Sequence, residues 1–451
     1  MNMEKVTVAI YIYIGTGDWV YESETIRYEM EGNDLIENEL LSASPIKDGE
    51  EMMINAGYNS LSEWVYYSGD VVIPDHLMYK GQAVPVTSIG YLSACVELES
   101  LSIPSTVNEL HPGIENCLKL KKIEVAEGNP SYKSVDGVLF SKDGKELLAY
   151  PALRPDDSYT IPKEVETIPD GVFRGCENLK EILVEEGNPN YKSVDGVLFA
   201  KGLDGGDCLF AYPIGNKATR FVIPETVTEI KSDAFYRSIL EDVVCKSVEY
   251  IGSDVFKNCN QLRRLEGGSA TKSIHLYTEH TVEIAGIEEM NNLESLSVDV
   301  YGDENGQITD LGNIGQLKNL KFLSIEGVKI SSGLEWLEEL QNLESFSSWS
   351  ANVNVKDLYL LQKLPYLNSV SVGEVEDLSD LSWLEGMQSL STLSLNVESI
   401  EVKDFTILLK MPNLRNVTIR THTHYNGLKE MFEEMQEENT EKFFSYFEFE
   451  E

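Results

Sequence analysis

Fourteen residues occur twice in this chain with a single change. Glu127–Phe140 reads EGNPSYKSVDGVLF and Glu186–Phe199 reads EGNPNYKSVDGVLF, so that only Ser131 against Asn190 differs. Near-identical text at a fixed offset marks an architecture made by adding units, and it constrains the fold more tightly than composition does. Each copy runs on to a second apolar segment ending in Tyr-Pro, LLAYP at Leu147–Pro151 and LFAYP at Leu209–Pro213. The Gly/Asp-rich stretches between, SKDGKE and AKGLDGGDC, suit a hairpin turn, so each copy is expected to be a β-hairpin inserted in a larger unit.

A shorter phrase surrounds these insertions. It reads IPSTVNELHPGIENCLKLKKI (Ile103–Ile123), IPKEVETIPDGVFRGCENLKEI (Ile161–Ile182) and IPETVTEIKSDAFYRSILEDV (Ile223–Val243). A fourth version covers Val248–Leu265 and a partial one Val86–Leu101. The skeleton I-P-x-x-V-x-x-I-x-x-x-x-F-x-x-C-x-x-L-x-x-I is one turn of a solenoid, which buries its apolar face only when stacked on its neighbours. Cys95, Cys117, Cys176 and Cys259 share one slot of this skeleton, predicting a column of small buried side chains. Zinc would need paired ligands such as C-x-x-C, and the sequence has none. Six cysteines in all are too few for a disulfide scaffold, and Cys208 and Cys245 fall outside the column.

With VVIP (Val71–Pro74), PVTSIG (Pro85–Gly90), FRGCENLKEI (Phe173–Ile182), the I-P phrases and the two N-P-x-Y-K-S-V-D-G-V-L-F segments, the stretch from about Asp70 to Gly268 resembles the BspA-like leucine-rich-repeat family of bacterial, mostly host-associated proteins. The resemblance implies a β-rich solenoid, usually displayed outside the cell for adhesion or host-protein binding.

A second array follows Gly267–Ser273. Its phrases are NLESLSVDV, NLKFLSIEG, NLESFSSWS, YLNSVSVGE, SLSTLSLNV and NLRNVTIRT, whose leading leucines, Leu293, Leu320, Leu343, Leu367, Leu390 and Leu414, are spaced 27, 23, 24, 23 and 24 residues apart. This is the L-x-x-L-x-L pattern of more typical leucine-rich repeats, a strand followed by a helical or looser return. The expected fold is therefore an α/β, β-rich leucine-rich-repeat solenoid with a parallel sheet on its concave face and a cap at each end. Residues 1–69 form an N-terminal cap or small α/β module opening on an alternating strand, Val6–Ile14; 70–268 hold the BspA-type turns; 274–426 hold the typical repeats; 427–451 form an acidic C-terminal cap. In that cap Gly427–Gln436 reads as an amphipathic helix, and EKFFSYFEFEE as a final edge strand or a partner-binding segment.

Charge narrows the partners. With 36 Lys+Arg against 76 Asp+Glu the formal net charge is −40. Such a surface repels phosphate backbones and anionic lipid, which argues against nucleic-acid or membrane-surface binding and favours a basic protein. No window approaches a membrane span, so no membrane insertion is expected. The opening MNMEKVTVAIYIYIGTGDW does not read as a signal peptide. The expected location is the cytoplasm, or the cell surface or medium if a leader has been removed.

The search for chemistry is mostly negative. The six histidines fit no metal spacing apart from His422-Thr-His424, which would put two rings on one strand face. Asp303, Asn305 and Gly306 suggest a calcium loop, but Tyr301 stands where its first ligand belongs. Nucleophile elbow, Walker loop and dinucleotide fingerprint are all missing. No enzyme, cofactor or resident metal is expected.

Aligning the second array exposes a surface instead. Between the last two apolar positions of each phrase stand Ser297, Ser324, Ser347, Ser371, Ser394 and Thr418, six hydroxyls on the sheet face opposite the leucines. Small polar residues there would relieve crowding on a curved sheet. They would equally line a shallow groove for a peptide or, as an open alternative, a glycan, with Phe322 and Trp349 as aromatic anchors. The SFSSWS strand leaves Ser348 where an apolar residue belongs, and a slip inverting Trp349 into the core would explain that as well. The expected function is non-catalytic recognition of a protein partner through the concave sheet. The alternatives are a surface adhesin of a host-associated bacterium, an intracellular immunity-type neutraliser of a basic toxin, or a structural spacer.

Overall fold

A computed structural model of the chain describes residues 10–12, 26–31, 34–47, 50–55, 57–58, 63–65, 67–93, 95–202, 205–278, 282–300, 311–327, 334–349, 353, 355–402, 405–421, 432–433 and 443–448. They fall into two compact units: residues 1–201, 209–217 and 233–236, and residues 202–208, 218–232 and 237–451. The division lies within the BspA-type block.

The first unit begins with strands. Ile26–Glu31, Asp34–Ile46 and Glu51–Asn55 pair antiparallel, and the last runs parallel beside Gln82–Ile89, itself parallel to Glu109–Leu110. A second parallel ladder joins Gly69–Val72, Leu98–Ile103 and Lys122–Val125. The chain leaves this ladder at Ile-Pro: Ile73 and Ile103 point into the core, while Pro74 and Pro104, lacking an N–H, follow at the strand end where no ladder bond is needed. Val71, Leu98, Leu101, Val107, Leu120 and Ile123 join them in one buried cluster.

The repeated 14-residue segment is two strands, and the first insertion is a three-stranded meander where a single hairpin was expected. Tyr132–Val135 pairs with Val138–Ser141, which pairs with Leu147–Ala149; in the second copy Tyr191–Val194 pairs with Val197–Lys201. The additional turns are Asp136-Gly137 (φ 50° and 81°) and Asp195-Gly196 (φ 50° and 76°). Both central residues are left-handed, as the tight two-residue turn of a twisted hairpin demands.

The invariant Asn of Gly-Asn-Pro fastens each insertion to the preceding corner. Asn129 is fully buried. Its amide donates to the carbonyls of Pro104 and Val107, both at 2.8 Å. Its oxygen accepts from the backbone N–H groups of Ser131 at 2.9 Å and Tyr132 at 2.8 Å. Asn188 repeats the set with Pro162, Val165, Asn190 and Tyr191.

In the second unit eight parallel strands follow one another: β1 (Ser273–Thr278), β2 (Ser295–Val300), β3 (Phe322–Glu326), β4 (Ser345–Trp349), β5 (Ser369–Leu378), β6 (Thr392–Ile400), β7 (Asn416–Thr421) and β8 (Phe443–Glu448). Among the described residues their returns hold short 3-10 turns or single helical turns, such as Glu335–Glu339 and Ser382–Leu384, and little helix. The C-terminal aromatic segment is the edge strand β8, paired with β7. Of the expected terminal helix only Phe432 and Glu433 are described; they are helical, and Phe432 meets Phe405 edge-on at 5.7 Å.

One backbone turn serves both repeat types. In the first unit Cys117 and Cys176 each donate to the carbonyl three residues back and accept from the leucine three residues on. In the second unit Cys259 does the same between Phe256 and Leu262, and Met290, Leu317, Leu340, Leu364 and Met387 do it between their own apolar neighbours. F-x-x-C-x-x-L and L-x-x-L-x-x-L are thus one motif with side chains of different size. All six cysteines are free and buried, as expected of the column. Burial pushes Cys95 and Cys259 up to about 11 and Cys245 to about 12, and raises Cys117 and Cys176 too. Cys245, outside the column, follows its strand as Ile223 does one turn earlier: Cys245 N–H donates to Glu266 O at 2.8 Å as Ile223 N–H donates to Val244 O at 2.9 Å.

Candidate functional site

The hydroxyl column predicted from the phrases exists in register. Ser297, Ser324, Ser347, Ser371, Ser394 and Thr418 are direct neighbours across β2 to β7, with His275 before them on β1 and Ser445 after them on β8. The six predicted residues are half-buried. Their neighbours Leu296, Leu323, Phe346, Val370, Leu393 and Val417 point the other way and are buried, so the pleat alone separates the core face from the open one.

Trp349 lies on the open face. The slip that would have put it in the core does not occur: β4 keeps register with β3, and Ser348 occupies the apolar column Val298–Ile325–Ser348–Val372. Ser348 is fully buried and its hydroxyl has no hydrogen-bond partner. The indole of Trp349 donates from Nε1 to Ser371 Oγ at 3.1 Å. Its ring rests against Gly373, where an added Cβ would come within 2.7 Å of Cε3. The guanidinium of Arg420 stands 6.0 Å from the ring centroid and reaches Ser394 Oγ at 3.5 Å. Phe322 shares the open face and is 48% exposed. It stands at the start of its strand, beside Ser295 and Ser345, four residues along the strand from the Trp349 row, or roughly 13 Å. The two aromatics therefore mark opposite margins of the face and do not converge.

Sequence reading missed the row beyond the hydroxyls. Tyr277, Asp299, Glu326 and Trp349 are successive neighbours across β1 to β4, and Asn396 and Arg420 are neighbours on β6 and β7. The signal was present, because extending the same alignment by two positions reads Asp, Glu and Trp in consecutive phrases. Desolvation raises the carboxyl pKa of Asp299 against the attraction of His275. Desolvation and the charge of Asp299 raise that of Glu326, opposed by a hydrogen bond from Ser324 and by His275.

A second depression, of about 410 Å³, opens beside the strand starts between Lys272, Asn292, Glu294, Asn319, Lys321, Asn342, Glu344 and Tyr366. Most of its polar groups already serve the stack. The Asn that opens the phrases donates one turn back: Asn292 to Ser269 O at 2.8 Å, Asn319 to Asn291 O at 2.7 Å and Asn342 to Lys318 O at 2.7 Å. Lys321 pairs with Glu294 at 2.7 Å. Among the described residues no group of three His, Cys, Asp or Glu could hold a metal ion. His422 and His424, and the 303–306 calcium candidate, lie outside those residues. Among the described residues no helix is long and apolar enough to cross a membrane.

Comparison with known proteins matches two family profiles. One, described as a BspA type leucine rich repeat region, covers residues 156–201 and 209–306; the other, a leucine-rich repeat region, covers 261–450. Similar solved structures include the pneumococcal vaccine antigen PcpA (16% identity, TM-score 0.32, covering 92% of this chain and 98% of that one). A leucine-rich repeat protein from Eubacterium ventriosum shows 17% identity and a TM-score of 0.29 over 82% of this chain and 95% of that one. Internalin C2 from Listeria monocytogenes shows 21% identity and a TM-score of 0.29 over 51% and 87%. No curated protein matches the chain. The repeat phrases, the stacked parallel strands and the two profiles together place the chain among the leucine-rich-repeat proteins, with BspA-type repeats leading into repeats of the more general kind.

Proposed function

We propose that the chain is a non-catalytic recognition protein that holds a protein partner on the open face of β1 to β7. The observation that carries this reading is the continuous hydroxyl column from Ser297 to Thr418, bordered by the half-exposed Trp349. Core packing explains the leucines of each phrase but asks nothing of this face. Hydroxyls and a partly exposed indole offer hydrogen bonds and apolar area with few rotatable bonds to immobilise. The net charge of −40 makes a basic partner the better fit, through faster encounter and repulsion of acidic competitors.

Site-specific photo-crosslinking tests the reading. A crosslinker at Ser371 is expected to capture the native partner, while one at the exposed Glu385, on the return turn, captures none. Capture from position 385 with none from 371 would place recognition on the other surface and end the proposal.

A further inference from the structure

The row Tyr277–Asp299–Glu326–Trp349 has an uneven charge balance. At its first end the ammonium of Lys257 stands 4.8 Å from the Tyr277 ring centroid; at the other, Arg420 stands 6.0 Å from the Trp349 ring. Between them Asp299 and Glu326 sit side by side on adjacent strands, about 4.8 Å apart at the backbone. Neither makes an ion pair with a lysine or arginine among the described residues. Elsewhere in this unit the stacking supplies such a cation from an adjacent turn, as Lys321 does for Glu294 and Lys318 for Glu339, both at 2.7 Å.

Two half-buried carboxylates in line repel one another, and both stand on the open face. A guanidinium is the planar cation whose donors bridge two carboxylate groups, and its flat face stacks on an indole. Resting on the recognition role proposed above, we propose that Asp299, Glu326 and Trp349 form a seat for an arginine side chain presented by the partner. The adjoining hydroxyls Ser324 and Ser347 then face the segment that carries the arginine. Burial raises both carboxyl pKa values against the attraction of His275, and the charge of Asp299 raises that of Glu326 further.

The test uses the full chain and the pentapeptide acetyl-Gly-Ser-Arg-Ser-Gly-amide, with its lysine and citrulline counterparts. Binding is read from the indole N–H resonance of Trp349, assigned by its loss in Trp349→Phe. The arginine peptide is expected to shift this resonance saturably. The citrulline peptide, with the same shape and no charge, is expected to bind at least tenfold more weakly, with lysine in between. Asp299→Asn with Glu326→Gln should abolish the arginine shift in a protein whose circular dichroism and unfolding show it to be folded; Glu326→Gln alone should weaken it if the double variant does not fold. Absence of any shift, equal shifts from arginine and citrulline, or an unaltered shift in the variant would overturn the seat. If these fail while crosslinking from position 371 persists, the seat alone is lost. If position 371 captures nothing, the recognition reading falls with it.

Discussion

Ser348 shows what one residue can reveal about a strand. Its phrase allowed two registers, because a one-residue slip exchanges the two faces of a strand and leaves the local hydrophobic pattern almost as good. The choice is made by the neighbours: Ile325 and Val372 bracket Ser348 in a column where every other member is apolar, and Gly373 leaves the space that Trp349 needs. Single-strand periodicity contains none of that information. Ser348→Val should restore the column and remove a buried hydroxyl without a partner, raising unfolding free energy by about 1 kcal/mol in chemical denaturation. Asp299 and Glu326 lead to an opposite sort of prediction. Their folded pKa values lie above the ordinary carboxylate value, so the folded state binds more protons than the unfolded one as pH falls into that range. They therefore cost stability once pH rises above it, and the cost disappears in acid. Asp299→Asn should raise the unfolding midpoint at pH 7 and leave it unchanged below about pH 3.5, where both states are protonated. A variant less stable than wild type at pH 7 would mean that the carboxylate is held by contacts in the fold itself.

At the scale of the element, the repeated phrases disclosed the strands but concealed two devices that join them. A hairpin turning at SKDGKE or AKGLDGGDC takes no account of Val-Asp-Gly-Val inside the repeated segment, although Asp-Gly is the strongest short hairpin signal a sequence offers. The Asn of Gly-Asn-Pro and the Asn before four of the six leading leucines could not be assigned from spacing, since their partners are carbonyls of the previous turn. Asn129→Ala removes two donors and the acceptor for two backbone N–H groups in a fully buried position. It should destabilise the first unit by about 3 kcal/mol, measurable as a lower denaturation midpoint. Asn292→Ala, at an exposed position with one such bond, should cost about 1 kcal/mol or less. The cysteine column was legible because small residues recur in one slot at each turn. With all six thiols buried, the native protein should react with a thiol reagent at pH 8 only after denaturant is added.

At the scale of the whole molecule, composition restricts partners while repetition determines the fold. Ion pairs between successive turns occupy many of the 36 cationic side chains, as in Lys121–Glu99 at 2.5 Å and Lys145–Glu166 at 2.6 Å. Such exposed pairs add little stability, and they leave the excess of acidic residues to set the outer field. A basic partner should therefore bind about tenfold more weakly when salt rises from about 0.05 to 0.5 M, and salt-independent binding would remove the argument from charge. The leucine-rich fold and its hydroxyl column were legible because each turn repeats the same instruction. The acidic row was not, because its residues differ from turn to turn and acquire meaning only when the strands are set side by side. The central claim, recognition on the open face of the second unit, is tested most directly by the affinity of the crosslink-identified partner for Ser371→Arg, with Glu385→Arg as the control. A long side chain in the middle of the column should weaken binding by about a hundredfold or more through lost complementarity, with the control unchanged. Wild-type affinity in a folded Ser371→Arg protein would contradict the account.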